Sequence, residues 1–147
     1  TGLTLSAAQQ LANDALDTER IEWLKNLPET RRCLDGQIRL VHGHPDDPNR
    51  YTYPSLFSPE LLGSESVLVM GHTHVQAYEH YDGGIVLNPG SVGQPRDGDP
   101  RAAYALVDLE ELTAENRRVE YDIERVIEAI ESAGLPKGTG TRLRKGR

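Results

Sequence analysis

Val67-Leu68-Val69-Met70-Gly71-His72-Thr73-His74 sets a wholly apolar run directly against two histidines separated by one residue. A short run of this kind, with no polar alternation, fits a strand covered on both faces. Gly71 ends it, and the imidazoles then stand at a strand terminus, where open α/β sheets place ligands. Alternate side chains on an extended segment point the same way, so His72 and His74 can converge on one centre. Upstream, Arg39-Leu40-Val41 runs into His42-Gly43-His44 and repeats the arrangement. Gly43 and Gly71 carry no side chain, which leaves room for backbone to approach an ion or a phosphate. Imidazole suits Zn, Mn, Fe, Co or Ni, and three histidines alone can form an open zinc site. An isolated histidine is more often structural or solvated. Two strand-end pairs, each beside glycine, point to metal chemistry.

The flanking sequence reads as helices, then many short strands, then a helix, an α+β order. Ser6-Ala7-Ala8-Gln9 fits a capping box opening a first helix. A second helix follows Asp17 or Thr18 and stops at Pro28. Asp35-Gly36 predicts a two-residue turn between strands near 31–34 and 37–42, with Ile38 and Leu40 facing inward. Pro45, Pro48, Pro54 and Pro59 mark an ordered loop or lid. Strands are expected at 75–81 and 85–87 around Asp82-Gly83-Gly84, and again at 102–107 and 117–121. Ile123, Val126, Ile127 and Ile130 form a helical stripe, ended by Gly134 and Pro136. Residues 1–136 read as a single folded unit and 137–147 as a basic, flexible tail.

The 147 residues carry a net charge of −7, which disfavours nucleic acid as a partner. No apolar run approaches the roughly 20 residues of a membrane span. Cys33 is the one cysteine, so no intrachain disulfide forms, and a reducing, cytoplasmic setting is expected.

Val41-His42-Gly43-His44, Met70-Gly71-His72-Thr73-His74 and Leu87-Asn88-Pro89-Gly90-Ser91, in this order and spacing, resemble the calcineurin-like metallophosphoesterases. The likeness is to their small prokaryotic phosphodiesterase-type branch and covers nearly the whole chain. It implies a four-layer α/β/β/α sandwich and a hydrolase of phosphomonoesters or phosphodiesters. It also implies a dinuclear centre of two divalent ions, manganese first and nickel, iron, cobalt or zinc as alternatives. By the same resemblance His42 and His72 bind one ion and His74 the other. Such ions, about 3.5–4 Å apart, clamp a phosphate and activate a hydroxide.

The family's remaining ligands come from D-x-H, G-D and G-N-H-D or G-N-x-D motifs. No Asp-x-His triplet occurs here, and Gly98-Asp99 falls after the G-H-T-H element. The expectation is therefore the C-terminal portion of the domain, with the N-terminal strands missing and little activity on its own. Missing strands would bare a sheet edge, so association into a homo-oligomer or with a complementing N-terminal segment is expected. The alternatives are a non-catalytic scaffold on the same fold and one half of a split enzyme.

Other residues divide between site and structure. His44 and Arg96 are the candidate substrate contacts, since guanidinium suits bidentate phosphate binding. Arg101 reads as an ion-pair residue, His80 as structural, and Asp46 and Asp47 as turn residues. Tyr51 and Tyr53 either line a cleft or pack. Asn88 sets a tight turn.

Overall fold

A computed structural model describes residues 6–147. Helix α1 spans Ala7–Ala15 and α2 spans Thr18–Lys25. The capping box forms as expected: the Ser6 hydroxyl accepts from Gln9 N at 3.3 Å, and Gln9 Oε1 accepts from Ser6 N at 2.8 Å. Asp17 caps α2 by accepting from Arg20 N. The apolar side chains of this region do not enter a core. Leu11, Trp23, Leu24 and Leu27 stay exposed, and α2 buries no residue.

Strands β1 (Thr30–Cys33) and β2 (Ile38–Val41) pair antiparallel. Their turn lies one residue earlier than expected. Gly36 N donates to Cys33 O, so the central residues are Leu34 and Asp35, at φ 50° and 53°. Gly36 follows at φ 88°, making the connection longer than two residues. Asp35-Gly36 alone could not reveal that Leu34 would take the first left-handed position, which a branched side chain rarely adopts.

Strand β3 (Val67–Val69) leads into the histidine loop; β4 (Ala77–Tyr81) and β5 (Gly84–Asn88) form the next hairpin. The five strands make one mixed sheet in the order β1-β2-β3-β5-β4, with β2, β3 and β5 parallel. Strands β6 (Ala102–Asp108) and β7 (Thr113–Val119) form a separate antiparallel ribbon. Helix α3 (Ile123–Ser132) follows, then α4 (Lys137–Thr141) and a 3-10 turn, Arg142–Lys145. The fold is α+β. No helix among the described residues is long and apolar enough to cross a membrane.

The core explains why 67–70 is apolar throughout. On one face Val67, Ile85 and Leu87 pack with Ala114 of the ribbon. On the other, Leu68, Met70 and Val86 pack beneath Val41, Phe57, Leu61 and Leu62. The Pro-rich segment is thus an ordered cover, turned by two 3-10 stretches at Pro54–Leu56 and Pro59–Leu61. Each fully buried side chain of this size contributes about 1.5–3 kcal/mol. Leu40, expected inward, is exposed and borders an open cleft of about 410 Å³ together with His42.

Residues 137–147 are helical where irregular chain was expected. Leu143 is buried and Gly140 lies against Ile127, the buried residue of the α3 stripe. Arg144 forms a 2.6 Å ion pair with Glu124.

Register then positions the loops. Leu40 pairs with Val69 and Val69 with Leu87, so β2, β3 and β5 end level. Their ends carry His42, Gly71 and Asn88. Asn88 is fully buried. Its amide nitrogen donates to Gly71 O at 2.8 Å and to the Thr73 hydroxyl at 2.9 Å. Its Oδ1 accepts from Gly90 N at 2.9 Å. Asn88→Ala removes three hydrogen bonds and leaves Gly90 N without its partner, and is expected to cost about 1–3 kcal/mol. A chemical-denaturation curve followed by circular dichroism checks this; a midpoint equal to wild type rejects it. Gly84 sits at φ 146°, with Ser66 O in the space a Cβ would need. Gly84→Ala is therefore expected to lose about 2–3 kcal/mol through strain, read as a lower thermal midpoint.

Candidate metal centre

The level ends of β2 and β3 bring His42 against the G-H-T-H loop. Gly71 N donates to His42 O at 2.9 Å. The His42 and His72 rings stand 4.5 Å apart between centroids, tilted by 54°. The glycines serve this backbone contact. A Cβ on Gly71 would meet His42 O at 3.3 Å, and one on Gly43 would meet Pro48 O at 2.5 Å. Both therefore let the protein's own chain close in, where the sequence suggested room for an ion or phosphate.

The loop is not an extended strand. His72 and His74 both take left-handed backbone, at φ 66° and 59°. Thr73 between them is buried, with Thr73 N donating to Gly71 O at 2.7 Å. Coiling, not strand alternation, turns the two imidazoles outward while Thr73 anchors inward on Asn88. Left-handed backbone at a non-glycine residue costs about 1–3 kcal/mol and clusters at functional sites.

Each imidazole is oriented by a carbonyl. His72 Nε2 lies 3.1 Å from Asn49 O, and His74 Nδ1 lies 2.8 Å from Gln94 O. A carbonyl only accepts, so in a neutral ring these are the nitrogens that carry the proton. The lone pairs fall on His72 Nδ1 and His74 Nε2, free for a ligand. Tyr51 stacks on His72 with centroids 3.8 Å apart and planes within 22°, and Tyr53 lies beyond it.

The electrostatics favour the neutral ring at His42 and at His74. His42 is held below the usual imidazole value by desolvation within the loops, then by the nearby His72 and His74. His74 is also lowered, first by burial, against the Gln94 carbonyl, which works the other way. The positive charges of Arg96 and Arg142, with His72, add to the lowering. Neutral imidazole is the form that binds metal.

Arg96 donates its backbone N–H to His74 O at 3.0 Å and lies beside the histidine loop, as the sequence suggested. Arg101 is committed to Asp99, at 2.6 Å. This contact holds the Asp99 carboxyl down to about 2. His44 Nδ1 accepts from Asp46 N at 3.1 Å, closing its own turn, and its ring borders a pocket with Arg50 and Tyr51. Asp47 Oδ1 accepts from Asn49 N, the turn role expected. His80 is exposed on β4, edge-on to Tyr78. Sequence reasoning missed Gln94 and Arg142. Gln94 acts through its main-chain carbonyl, and Arg142 arrives from a segment read as tail.

The donor set fits part of a metal site and not a whole one. His42 and His72 stand ring to ring, and His72 and His74 are oriented by carbonyls. Yet among the described residues no group of three or more His, Cys, Asp or Glu is arranged to hold an ion.

Residues 12–112 match the calcineurin-like phosphoesterase superfamily domain. The uncharacterized protein MJ0912 of Methanocaldococcus jannaschii is 29% identical over 151 residues, covering 90% of this chain and 62% of that protein. Phosphodiesterase YfcE of Escherichia coli is 35% identical over 94 residues, 62% of this chain and 42% of that one. A metallophosphoesterase from Sphaerobacter thermophilus superposes with a TM-score of 0.82 at 30% identity, over 100% of this chain and 72% of its own. Protein PH1004 from Pyrococcus horikoshii shares the fold, with a TM-score of 0.75 at 24% identity, over 91% of this chain and 57% of its own. The chain thus spans less than two thirds of the curated relatives it matches. On the family pattern, which covers most of its length, the chain belongs to the calcineurin-like phosphoesterase superfamily.

Proposed function

We propose that this chain carries the histidine side of a dinuclear phosphoesterase centre and contributes to hydrolysis of phosphomonoesters or phosphodiesters. The observation that carries the reading is the convergence of three imidazoles at the level ends of two adjacent parallel strands. His42 and His72 would hold one divalent ion and His74 the other, with manganese the first candidate metal. The ions would supply Lewis acidity toward the phosphoryl oxygens. The chain's own groups do the rest. Asn49 and Gln94 carbonyls fix the rings, Asn88 and Thr73 fix the loop, and Arg96 and His44 face the substrate.

Among the described residues no group of three or more His, Cys, Asp or Glu is arranged to hold an ion, and this favours one addition. Aspartate and asparagine ligands of the D-x-H, G-D and G-N-x-D kind would come from another segment and would complete a four-layer sandwich. That segment belongs to the same polypeptide or to a complementing chain. The setting is cytoplasmic.

The test is hydrolysis of bis(4-nitrophenyl) phosphate and 4-nitrophenyl phosphate with added Mn²⁺. The protein is tested with and without the segment encoded upstream of Thr1. The 147 residues alone are expected to turn over slowly, and the complemented protein to be active and chelator-sensitive. His74→Ala should then lose more than the roughly 10–100-fold typical of an outer-shell partner. Chelator-resistant hydrolysis, or full activity of His74→Ala, overturns the proposal. Metal binding without any hydrolysis, by the complemented protein, supports a scaffold instead.

Proton competition gives a second prediction. In the fold, His42 and His74 lie below the ordinary imidazole value near about 6.5. The unfolded chain therefore binds more protons in that window, so stability is full above it and falls as pH drops. Histidine side-chain NMR should place both midpoints below the ordinary imidazole value of about 6.5. A midpoint at or above it rejects this.

A further inference from the structure

Several arginines of this chain are held by carboxylates. Arg32 and Arg39 share buried Glu65, Arg118 pairs with Asp97, and Arg144 with Glu124. Arg96 and Arg142 are among those with no carboxylate partner among the described residues, and they differ from the rest in sharing one neighbour. Both are exposed, and both stand beside Gln94, whose carbonyl orients His74. With the Gln94 amide oxygen turned to Arg142, it accepts from Nε at 2.7 Å and from both terminal nitrogens at 3.1 Å. Turned the other way, it accepts from Arg96 Nη2 at 3.3 Å. One neutral amide thus separates two guanidiniums.

The placement of Arg142 is built, not incidental. Leu143 is buried, and Gly98 N donates to Gly146 O at 3.1 Å. A Cβ on Gly146 would meet the Asp99 backbone at 2.7 Å, so the 142–146 turn is seated tightly on the loop that carries Arg96. That loop is held in turn by Asp97 on Arg118, and Arg118 Nε donates to Gln76 Oε1 at 2.7 Å.

We infer that Arg96 and Arg142 form an anion clamp beside His74, taking the phosphoryl oxygens of the substrate and favouring dianionic phosphomonoesters over monoanionic diesters. Two like charges held side by side repel, and an anion between them removes the repulsion. Guanidinium presents paired donors to a tetrahedral oxyanion. A dianion gains about twice the Coulomb attraction of a monoanion at the same place. The substrate assignment rests on the phosphoesterase reading; the clamp itself does not require metal.

Two experiments keep these apart. In the first, inorganic phosphate is titrated into chelator-treated protein at low ionic strength, following arginine side-chain Nε–H resonances. Arg96 and Arg142 signals should shift together in the wild type. Arg142→Ala should weaken phosphate about tenfold, the loss expected for a charge-assisted pair, with Arg142→Lys intermediate and Arg117→Ala unchanged. Unmoved Arg142 resonances in the wild type overturn the clamp, whatever the stability of the variants. In the second, kcat/KM for 4-nitrophenyl phosphate over bis(4-nitrophenyl) phosphate is measured on the metal-loaded, complemented protein. Arg142→Ala should lower this ratio about tenfold, mainly through KM for the monoester. An unchanged ratio overturns the substrate preference. Hydrolysis of neither ester removes the phosphoesterase reading, while the phosphate titration still decides the clamp.

Discussion

The amide of Asn88 is the bond on which the histidine loop depends. It is fully buried at the end of β5 and spends both donors on the neighbouring loop, at Gly71 O and the Thr73 hydroxyl. Its acceptor turns its own chain at Gly90. A buried amide with every hydrogen bond made is costly to disturb, because each partner then lacks water as well. Thr73 is pinned inward by it, and the flanking histidines are left with no direction but outward. The strain of their left-handed backbone is held in place by this anchor and by parallel pairing of the strands beneath.

A second layer of constraint acts through charge. The loop at 94–101 carries Gln94 and Arg96 and is tied to the β6–β7 ribbon by Arg118, which reaches Asp97 and the Asp99 and Arg101 carbonyls. Gln76 joins the same network by donating to Tyr104 O at 2.8 Å. The ribbon therefore does more than cover one face of the sheet. It fixes the distance between the histidine loop and the C-terminal turn. On the far side, buried Glu65 accepts from Gly63 N and gathers Arg32 and Arg39, locking β1 and β2 to the start of β3. The site lies between these two ionic ties.

Much of this was legible because the signals were local. The apolar run at 67–70, the stripe at 123–130 and the Ser6 cap are patterns within a few residues, and each formed where expected. The G-H-T-H and N-P-G-S elements were visible too, with His42, His72 and His74 brought into one neighbourhood. What stayed hidden depends on long-range geometry. Left-handed histidines follow from an anchor 15 residues away, the contact of Asn88 with Thr73. The Tyr51 stack needs a loop to fold back over the sheet. Arg142 needs Leu143 to find a core that the basic, glycine-rich sequence does not advertise. Leu40 reads as an inward residue by alternation, yet alternation cannot say how far a cover extends along a strand.

The exposed face of α2 also determines what light can report about this molecule. Trp23 is the only tryptophan and is 64% exposed, on a helix that buries nothing. Indole emission therefore samples solvent at that helix and is blind to the sheet. Any quenching or blue shift on adding another polypeptide marks a surface that has come to lie over α2. Three tyrosines instead sit near the chemistry and the core, with Tyr51 on His72 and Tyr78 and Tyr81 against the two hydrophobic clusters. The chain thus holds two optical channels, one tuned to assembly and one to its interior.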